Sequence, residues 1–236
     1  MTKNVIIVAG GKGLRMSADV PKQFILLKNK PILMHTIETF FNFDNSFKII
    51  LVLPKEHITL WQQLCEEYGF YINCAVAEGG AERFFSVKNG LNLVEQNSIV
   101  AIHDGVRPFV SKDTLENCFA TAEKFGNAVP VVTLNESVRW VENEKNHHIN
   151  RSNLRIVQTP QVFRSDILQA AYQQPFSEYF TDDASVVETF GEKINLVEGN
   201  IENIKITTKN DLKIAEIHLN VPAAWRRRKI IHDQKE

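Results

Sequence analysis

The chain has 236 residues, 44% hydrophobic and 23% charged, with a formal net charge of −1 and a pI near 6.7. That length suits one α/β domain, or at most two small ones, with a sizeable buried core. Near-neutrality excludes a general field for polyanions, so no nucleic-acid partner is expected and any anionic ligand must meet a local cluster of cations. No apolar run approaches the roughly 18 to 20 residues of a membrane span, and the amino terminus lacks the charged, apolar, cleavable order of a signal peptide. No membrane partner and a cytoplasmic location are therefore expected. Cys65, Cys74 and Cys118 are widely spaced and lack a CxxC or zinc-spaced histidine, which reads as three buried or half-buried thiols.

Val5-Ile6-Ile7-Val8 is apolar on both faces, as a central parallel strand is, and runs into the glycine-rich Ala9-Gly10-Gly11-Lys12-Gly13. A helix is expected from Pro31, a residue suited to the first helical position, through Phe41, then a strand over 48–53 that closes at Pro54. The alternation continues with a helix over 60–68, an extended segment over 72–77, a helix over 83–93 and a buried strand over 98–103 ending at Asp104. A helix over 112–125 and a strand over 128–133 follow. This order predicts a doubly wound, mostly parallel Rossmann-like α/β sheet with ligands at the carboxyl ends of its strands. Between about 134 and 158 the character changes: residues 137–141 and 148–150 flank the polar stretch 142–146, which predicts a protruding β-hairpin arm. A polar two-stranded hairpin is marginal alone in water, so it either folds back on its own domain or clasps a second subunit as a homodimer. Helices over 165–172 and 183–190, strands over 194–197 and 204–206, and a helix over 209–219 complete one domain spanning 1–236. The basic run Trp225-Arg226-Arg227-Arg228-Lys229 reads as a solvated end.

The loop from Ala9 to Arg15 offers consecutive backbone N–H groups with little side chain in the way, as a polyphosphate held against main chain requires. It is neither a Walker loop nor the GxGxxG dinucleotide turn, because the lysine falls between glycines and no Ser or Thr follows it. Arg15 and Lys22 follow closely instead, placed to neutralise charge on a phosphoryl centre and its leaving group. Asp104 is the only carboxylate of His103-Asp104-Gly105-Val106-Arg107-Pro108 and is a candidate for holding a divalent cation or a substrate hydroxyl, or for capping a buried turn. Arg107 reads as structural, tying that loop to carbonyls. Ser86, near a helix start, either reads a base edge or caps the helix, and Thr181 and Asp182 precede a helix they suit as caps.

The strings AGGKGLRM and PKQF, with GGAER and Ser86, HDGVRP, QTPQ, TDDAS and EGNIENIKIT, occur in this order across nearly the whole chain. Together they resemble the polyol-phosphate cytidylyltransferases, whose members act on 2-C-methyl-D-erythritol 4-phosphate, in non-mevalonate isoprenoid synthesis, or on ribitol 5-phosphate. The resemblance implies transfer of CMP from CTP to the methylerythritol phosphate with release of pyrophosphate. Ribitol 5-phosphate as acceptor, or a non-catalytic nucleotide-binding module, are the alternatives. It also implies roles by residue. Arg15 and Lys22 meet the α-phosphate and leaving pyrophosphate, while Arg151 and Lys205 meet the attacking phosphate. Ala9, Gly10, Gly11, Gly13, Gly80, Ser86, Asp104 and Gly105 surround the nucleotide, and Thr181 and Asp182 contact the polyol. The resemblance further implies Mg²⁺ carried with the triphosphate, with Asp104 as its protein neighbour. Arg151 would act from the neighbouring subunit if the arm is exchanged. Three positions depart from the family pattern. Ala81 offers no side-chain hydrogen bond, Gly105 is expected to enlarge the space beside the nucleotide, and Glu202-Asn203 leaves a second carboxylate ligand open. Lys205 is expected on a strand, its apolar neighbours inward and the lysine outward.

Overall fold

The computed structural model describes residues 1–10 and 20–220. Its centre is a mixed sheet in the spatial order β5, β4, β1, β6, β11, β7, β12, with β10 beside β7 on the same edge as β11. The strands are β1 (Lys3–Val8), β4 (Lys48–Leu53), β5 (Cys74–Glu78), β6 (Ile99–Asp104), β7 (Asn127–Thr133), β10 (Arg155–Val157), β11 (Gln161–Arg164) and β12 (Leu196–Glu198). All are parallel except β10 and β11, which run against their neighbours.

Alternation along these strands sorts the core into two layers. Val5, Ile7, Ile49 and Leu51 face one side, where α1 (Ile32–Phe43), α2 (Lys55–Glu67) and α4 (Lys112–Phe125) cover them with Leu33, Phe40, Trp61, Leu115 and Phe119. Ile6, Ile50, Val52 and Ile102 face the other, under α3 (Arg83–Leu91), α5 (Ser165–Ala171) and α6 (Asp183–Thr189). Each of these fully buried side chains contributes about 1.5 to 3 kcal/mol relative to exposure. This is the doubly wound α/β arrangement expected from the sequence.

Local chemistry sets the helix ends. Ser111 caps α4 by accepting from Thr114 N–H, and Gly126 ends it in the left-handed region at φ 93°. Asp182 and Ser185 form a reciprocal capping box on α6. Pro31 sits just before α1, with ψ 137°, instead of inside its first turn. It ends a two-strand ribbon, β2 (Leu26–Leu27) and β3 (Lys30–Pro31), turned through Lys28 and Asn29 at φ 48° and 63°. α2 begins five residues earlier than expected, directly after Pro54.

The arm is smaller than the sequence suggested. β8 (Arg139–Glu142) pairs with β9 (Lys145–His148) through a two-residue turn at Asn143 and Glu144, where both φ angles are positive. All eight strand residues are exposed, and Trp140 stacks across the ribbon on His147. Residues 155–157 do not belong to it, because β10 pairs with β7 inside the main sheet.

β10 and β11 lie along one edge of β7 as an interrupted strand. Arg155 faces Thr133 and Val157 faces Val131, whereas Val162 faces Ala128, so two residues are inserted between the ladders. The insertion falls at Thr159-Pro160 and turns Thr159 toward the end of β6. Finally, α7 (Lys209–Asn220) packs Ala215 with Leu27, Ile32, Val106, Phe109 and Ile206 in a third cluster.

Asn4, on β1, is fully buried, and neither its Nδ2 nor its Oδ1 has a hydrogen-bond partner among the described residues. Replacing it with the similarly shaped leucine removes two unsatisfied polar atoms, so Asn4→Leu is expected to raise the unfolding free energy by about 1 to 3 kcal/mol. Denaturant titration of both proteins checks this; a lower midpoint for the variant contradicts it.

Candidate active site

The chain reverses its winding direction at β1, which has β4 on one side and β6 on the other. Beyond the carboxyl ends of these strands lies a cleft of about 410 Å³, where such a switch point places ligands. It is lined after β1 by Ala9 and Gly10, after β5 by Gly80 to Arg83 and Ser86, and after β6 by Asp104 and Val106. Lys22, Gln23 and Lys205 close it. A second cavity of about 280 Å³ is lined by Arg107, Gln158, Gln161, Thr181 and Asp182. Arg83, Asp104 and Lys205 line both, so the two cavities meet at a charged wall.

Ser86 organises the first cavity. Its Oγ accepts from Gly80 N–H at 3.0 Å and donates to the Glu82 carbonyl at 3.2 Å, folding the β5–α3 loop onto the helix. A Cβ on Gly80 would stand 2.3 Å from that of Phe85, so only glycine permits this approach. Lys22 is carried on a short 3-10 turn whose neighbour Phe24 is buried and stacks against Trp61, which explains the PKQF string. Gln23 beside it is fully buried, with its amide nitrogen 3.3 Å from His57 Nδ1 and its Oε1 without a partner among the described residues.

Asp104 is the junction. Its Oδ2 meets Arg107 Nε at 3.0 Å and Lys205 Nζ at 3.2 Å. Burial opposes its ionisation, but Lys205, Arg83 and Arg107 hold the carboxyl well below the usual carboxylate range. It stays charged at neutral pH. Arg107 also donates to the Asn203 carbonyl at 2.8 Å, as expected for a residue that ties down its loop. Asn203 Nδ2 in turn donates to the Thr159 carbonyl at 2.7 Å.

His103 is fully buried behind the aspartate. Its Nε2 stands 2.9 Å from the Arg107 carbonyl, which can only accept, so Nε2 carries the proton and Nδ1 must accept from Thr159 Oγ1 at 3.1 Å. Thr159 Oγ1 then accepts from Asp104 N–H at 3.1 Å. This closed set of bonds fixes the backbone on which Asp104 sits. Burial drives His103 down to about 4, and so it is neutral in use.

Ala9, Gly10, Lys22, Gly80, Ser86, Asp104 and Lys205 thus converge on one cleft, and Thr181 and Asp182 on its neighbour. Gly11, Gly13 and Arg15 lie outside the described residues. Gly105 departs from expectation: it is buried and does not line either cavity. A Cβ there would meet that of Ala9 at 2.9 Å, so the glycine lets β6 close against β1 instead of opening space for a ligand. Lys205 is not on a strand. Its segment is held by Ile206, fully buried, whose N–H reaches the Val106 carbonyl at 3.0 Å, and by Asp211, which accepts from the N–H groups of Thr207 and Thr208. The lysine does face outward, into the cleft. Arg151 is exposed on a 3-10 turn near the root of the arm, donates to the Asn135 carbonyl, and lines neither cavity of its own chain. Asp182 caps α6 while its Oδ2 accepts from Gln161. No group of three or more His, Cys, Asp or Glu side chains gathers as a metal site among the described residues. The three cysteines are free and buried or half-buried. Arg83 and Asp183 stand in the strings GGAER and TDDAS, but the sequence assigned neither of them a role.

A mostly parallel α/β sheet with a two-lobed cleft at its carboxyl edge, lined by Lys22, Arg83 and Lys205, has the form of a nucleotidyltransferase. The model of the family described as IspD, 2-C-methyl-D-erythritol 4-phosphate cytidylyltransferase, matches residues 4–221, and the chain belongs to this family. The 2-C-methyl-D-erythritol 4-phosphate cytidylyltransferase of Bacteroides fragilis is 52% identical over 215 residues, covering 91% of this chain and 98% of that one. Its counterpart from Porphyromonas gingivalis is 50% identical, covering 91% and 96%. Among solved structures, the 4-diphosphocytidyl-2C-methyl-D-erythritol synthase of Anaerococcus prevotii superposes with a TM-score of 0.78 at 28% identity, covering 93% of this chain and 96% of that one. The Francisella tularensis enzyme gives 0.76 at 32% identity, covering 92% and 99%.

A buried neutral histidine makes stability depend on pH. In the unfolded chain an imidazole titrates near 6.5, but His103 titrates near 4 in the fold, so between these values only the unfolded state takes up the proton. Its contribution is complete above about pH 6.5 and falls away toward pH 4, by about 3 kcal/mol for the full shift. Denaturant titrations across this range should show wild type losing stability on acidification more steeply than His103→Gln. Parallel profiles would contradict the assignment.

Proposed function

We propose that this chain transfers the CMP group of CTP to 2-C-methyl-D-erythritol 4-phosphate, releasing pyrophosphate, in non-mevalonate isoprenoid precursor synthesis. The observation that carries this reading, beside family membership, is the pair of cavities meeting at Arg83, Asp104 and Lys205. CTP occupies the lobe of Gly10, Gly80 and Ser86, with the cytosine toward Gly80 and Ser86. The methylerythritol phosphate occupies the lobe of Thr181 and Asp182. Its phosphate reaches Lys205 at the common wall.

The nucleophile is then a phosphate monoester whose second pKa is near 6, largely dianionic at neutral pH, so no general base is needed. The barrier is the approach of two anions, and catalysis is positioning plus charge compensation, as in phosphoryl transfer generally. An oxygen of the monoester attacks the α-phosphorus in line, a new P–O bond forms, and the bond to the β-phosphate oxygen breaks. Arg15 and Lys22 compensate the α-phosphate and the leaving pyrophosphate. Lys205 and Arg151 hold the attacking phosphate.

The residues fit a Mg²⁺ held mainly by phosphate oxygens and water. Both cationic neighbours of Asp104 contact Oδ2, so Oδ1 has no protein partner among the described residues and one carboxylate oxygen remains for a shared ion. Such an ion would supply further charge neutralisation to the triphosphate.

The same proposal includes a homodimer joined through the β8–β9 arm, with Arg151 completing the partner's site. Its support is the arm's exposure, with Trp140 at 51% and Val141 at 70%, and the position of Arg151 outside its own cavities. A cytoplasmic location is also proposed. No described helix is long and apolar enough to cross a membrane.

Pyrophosphate release is expected with CTP and 2-C-methyl-D-erythritol 4-phosphate, and much less with other nucleoside triphosphates or with ribitol 5-phosphate; absence of turnover with CTP refutes the reading. Lys22→Ala and Lys205→Ala should each lower kcat by roughly 10² to 10³, Lys22→Ala with melting temperature close to wild type and Lys205→Ala with a modest loss, since it leaves Asp104 with Arg107 as its one ion-pair partner among the described residues. Mixing Arg151→Ala with Lys205→Ala subunits tests the exchange. If Arg151 acts across the interface, each heterodimer has one intact site and an equal mixture regains roughly a quarter of wild-type activity. No recovery after verified subunit exchange would place Arg151 in its own chain's site.

A further inference from the structure

Arg83 has no role in the mechanism so far, yet it lines both cavities. It opens α3 in the loop that shapes the first lobe, and its guanidinium forms a bidentate pair with Asp183, Nη1 to Oδ1 at 2.8 Å and Nη2 to Oδ2 at 2.6 Å. Asp183 is the first residue of α6, directly after the Thr181-Asp182 cap that lines the second lobe. It is fully buried, and Tyr172 Oη, itself buried, donates to its Oδ1 at 2.7 Å. The arginine is thus held by Asp183, itself fixed by Tyr172, and neither of these two lines either cavity.

A bidentate pair uses two of the five N–H donors of a guanidinium. The other three have no hydrogen-bond partner among the described residues, and the side chain remains 29% exposed. Burial would by itself lower its proton affinity, but Asp183 raises it, and the cation is permanent. Its field also reaches Asp104, where it helps keep the carboxylate ionised.

We infer that Arg83 is a further positioning residue of the reaction, aimed by Asp183 and Tyr172 at the wall where the donor and acceptor phosphates meet, and that it sets the two lobes relative to one another. The inference rests on the reaction proposed above. A lysine there keeps the charge but loses the planar fork, so the substitution separates charge from aim.

Two-substrate initial-rate kinetics on Arg83→Lys and Tyr172→Phe test it. Arg83→Lys should lower kcat by about 10 to 10²-fold and raise KM for both substrates, since a misplacement of about 1 Å costs that much. Tyr172→Phe leaves the ion pair in place and should shift the same constants in the same direction by less. Thr181→Ala, confined to the second lobe, should raise the acceptor KM alone. A purely structural tie predicts lower melting temperatures with unchanged kcat and KM. That result, or a change in only one KM for Arg83→Lys, overturns the inference. Should Arg83→Lys fail to fold, unchanged constants in Tyr172→Phe overturn it. Wild-type enzyme without turnover would refute the reaction itself, whereas active wild type with indifferent variants refutes only the role of Arg83.

Discussion

The site depends on keeping one carboxylate ionised where water is nearly excluded. Asp104 is 8% exposed, and a lone charge there would be costly. Arg107 and Lys205 at about 3 Å offset that cost, Arg107 from a largely buried position and Lys205 less strongly because its side chain is 42% exposed and screened by water. The compensation also works in reverse: without the aspartate, Lys205 and Arg107 would lose the carboxylate they share. An incoming phosphate therefore enters a site already balanced, and gains most where it takes over cationic contacts from Asp104. This arrangement suits a reaction whose chief obstacle is bringing two anions together. It also makes the aspartate a poor candidate for proton transfer, since its pKa is driven away from neutrality.

Holding that carboxylate in place takes four separate parts of the chain. β6 supplies Asp104 and His103, and the following turn supplies Arg107. The insertion between β10 and β11 supplies Thr159, and the segment after β12 supplies Asn203 and Lys205. The single proton of the neutral imidazole and the hydroxyl of Thr159 are each matched to an acceptor. The two-residue shift in register along β7 has a clear purpose in this light. A continuous antiparallel strand would continue its ladder past the β6 terminus, whereas the insertion releases Thr159 to bond with Asp104 and His103.

What could be read from the amino-acid order follows from the range of the interactions involved. Strands buried on both faces, such as β1, β4 and β6, announce themselves as unbroken apolar runs, and the caps of α4 and α6 are local chemistry. β10 and β11 were missed because Arg155-Ile156-Val157 is short and exposed, and Gln161-Val162-Phe163-Arg164 gains its ladder only from β6 and β7, distant in sequence. Ile204-Lys205-Ile206 has strand alternation but makes one backbone bond to Val106, so its geometry is set by anchoring Ile206 and not by a sheet. Gly105 illustrates the same limit. An absent side chain reads equally as room for a ligand or as contact between backbones, and only the distance to Ala9 decides. Arg83, though inside the string GGAER, carried no assigned role because its meaning depends on Asp183, a hundred residues away.

A formal charge of −1 and a pair of highly anionic substrates are compatible for a reason the structure makes specific. Within the cleft, Asp104 answers Lys205 and Arg107 and Asp183 answers Arg83, so much of the local charge cancels before any ligand binds. Cations held this way bind phosphate through fixed direction more than through a long-range field, and affinity should be less sensitive to salt than at an open basic surface. Fixed direction requires rigid supports, and the support of Arg151 is the least complete: an exposed turn beside a hairpin whose strand residues all face solvent. In the proposed dimer the interface would supply that missing rigidity. Pairing of subunits would then be part of the catalytic geometry, because an arginine on a free arm pays a full entropic cost each time it is aimed.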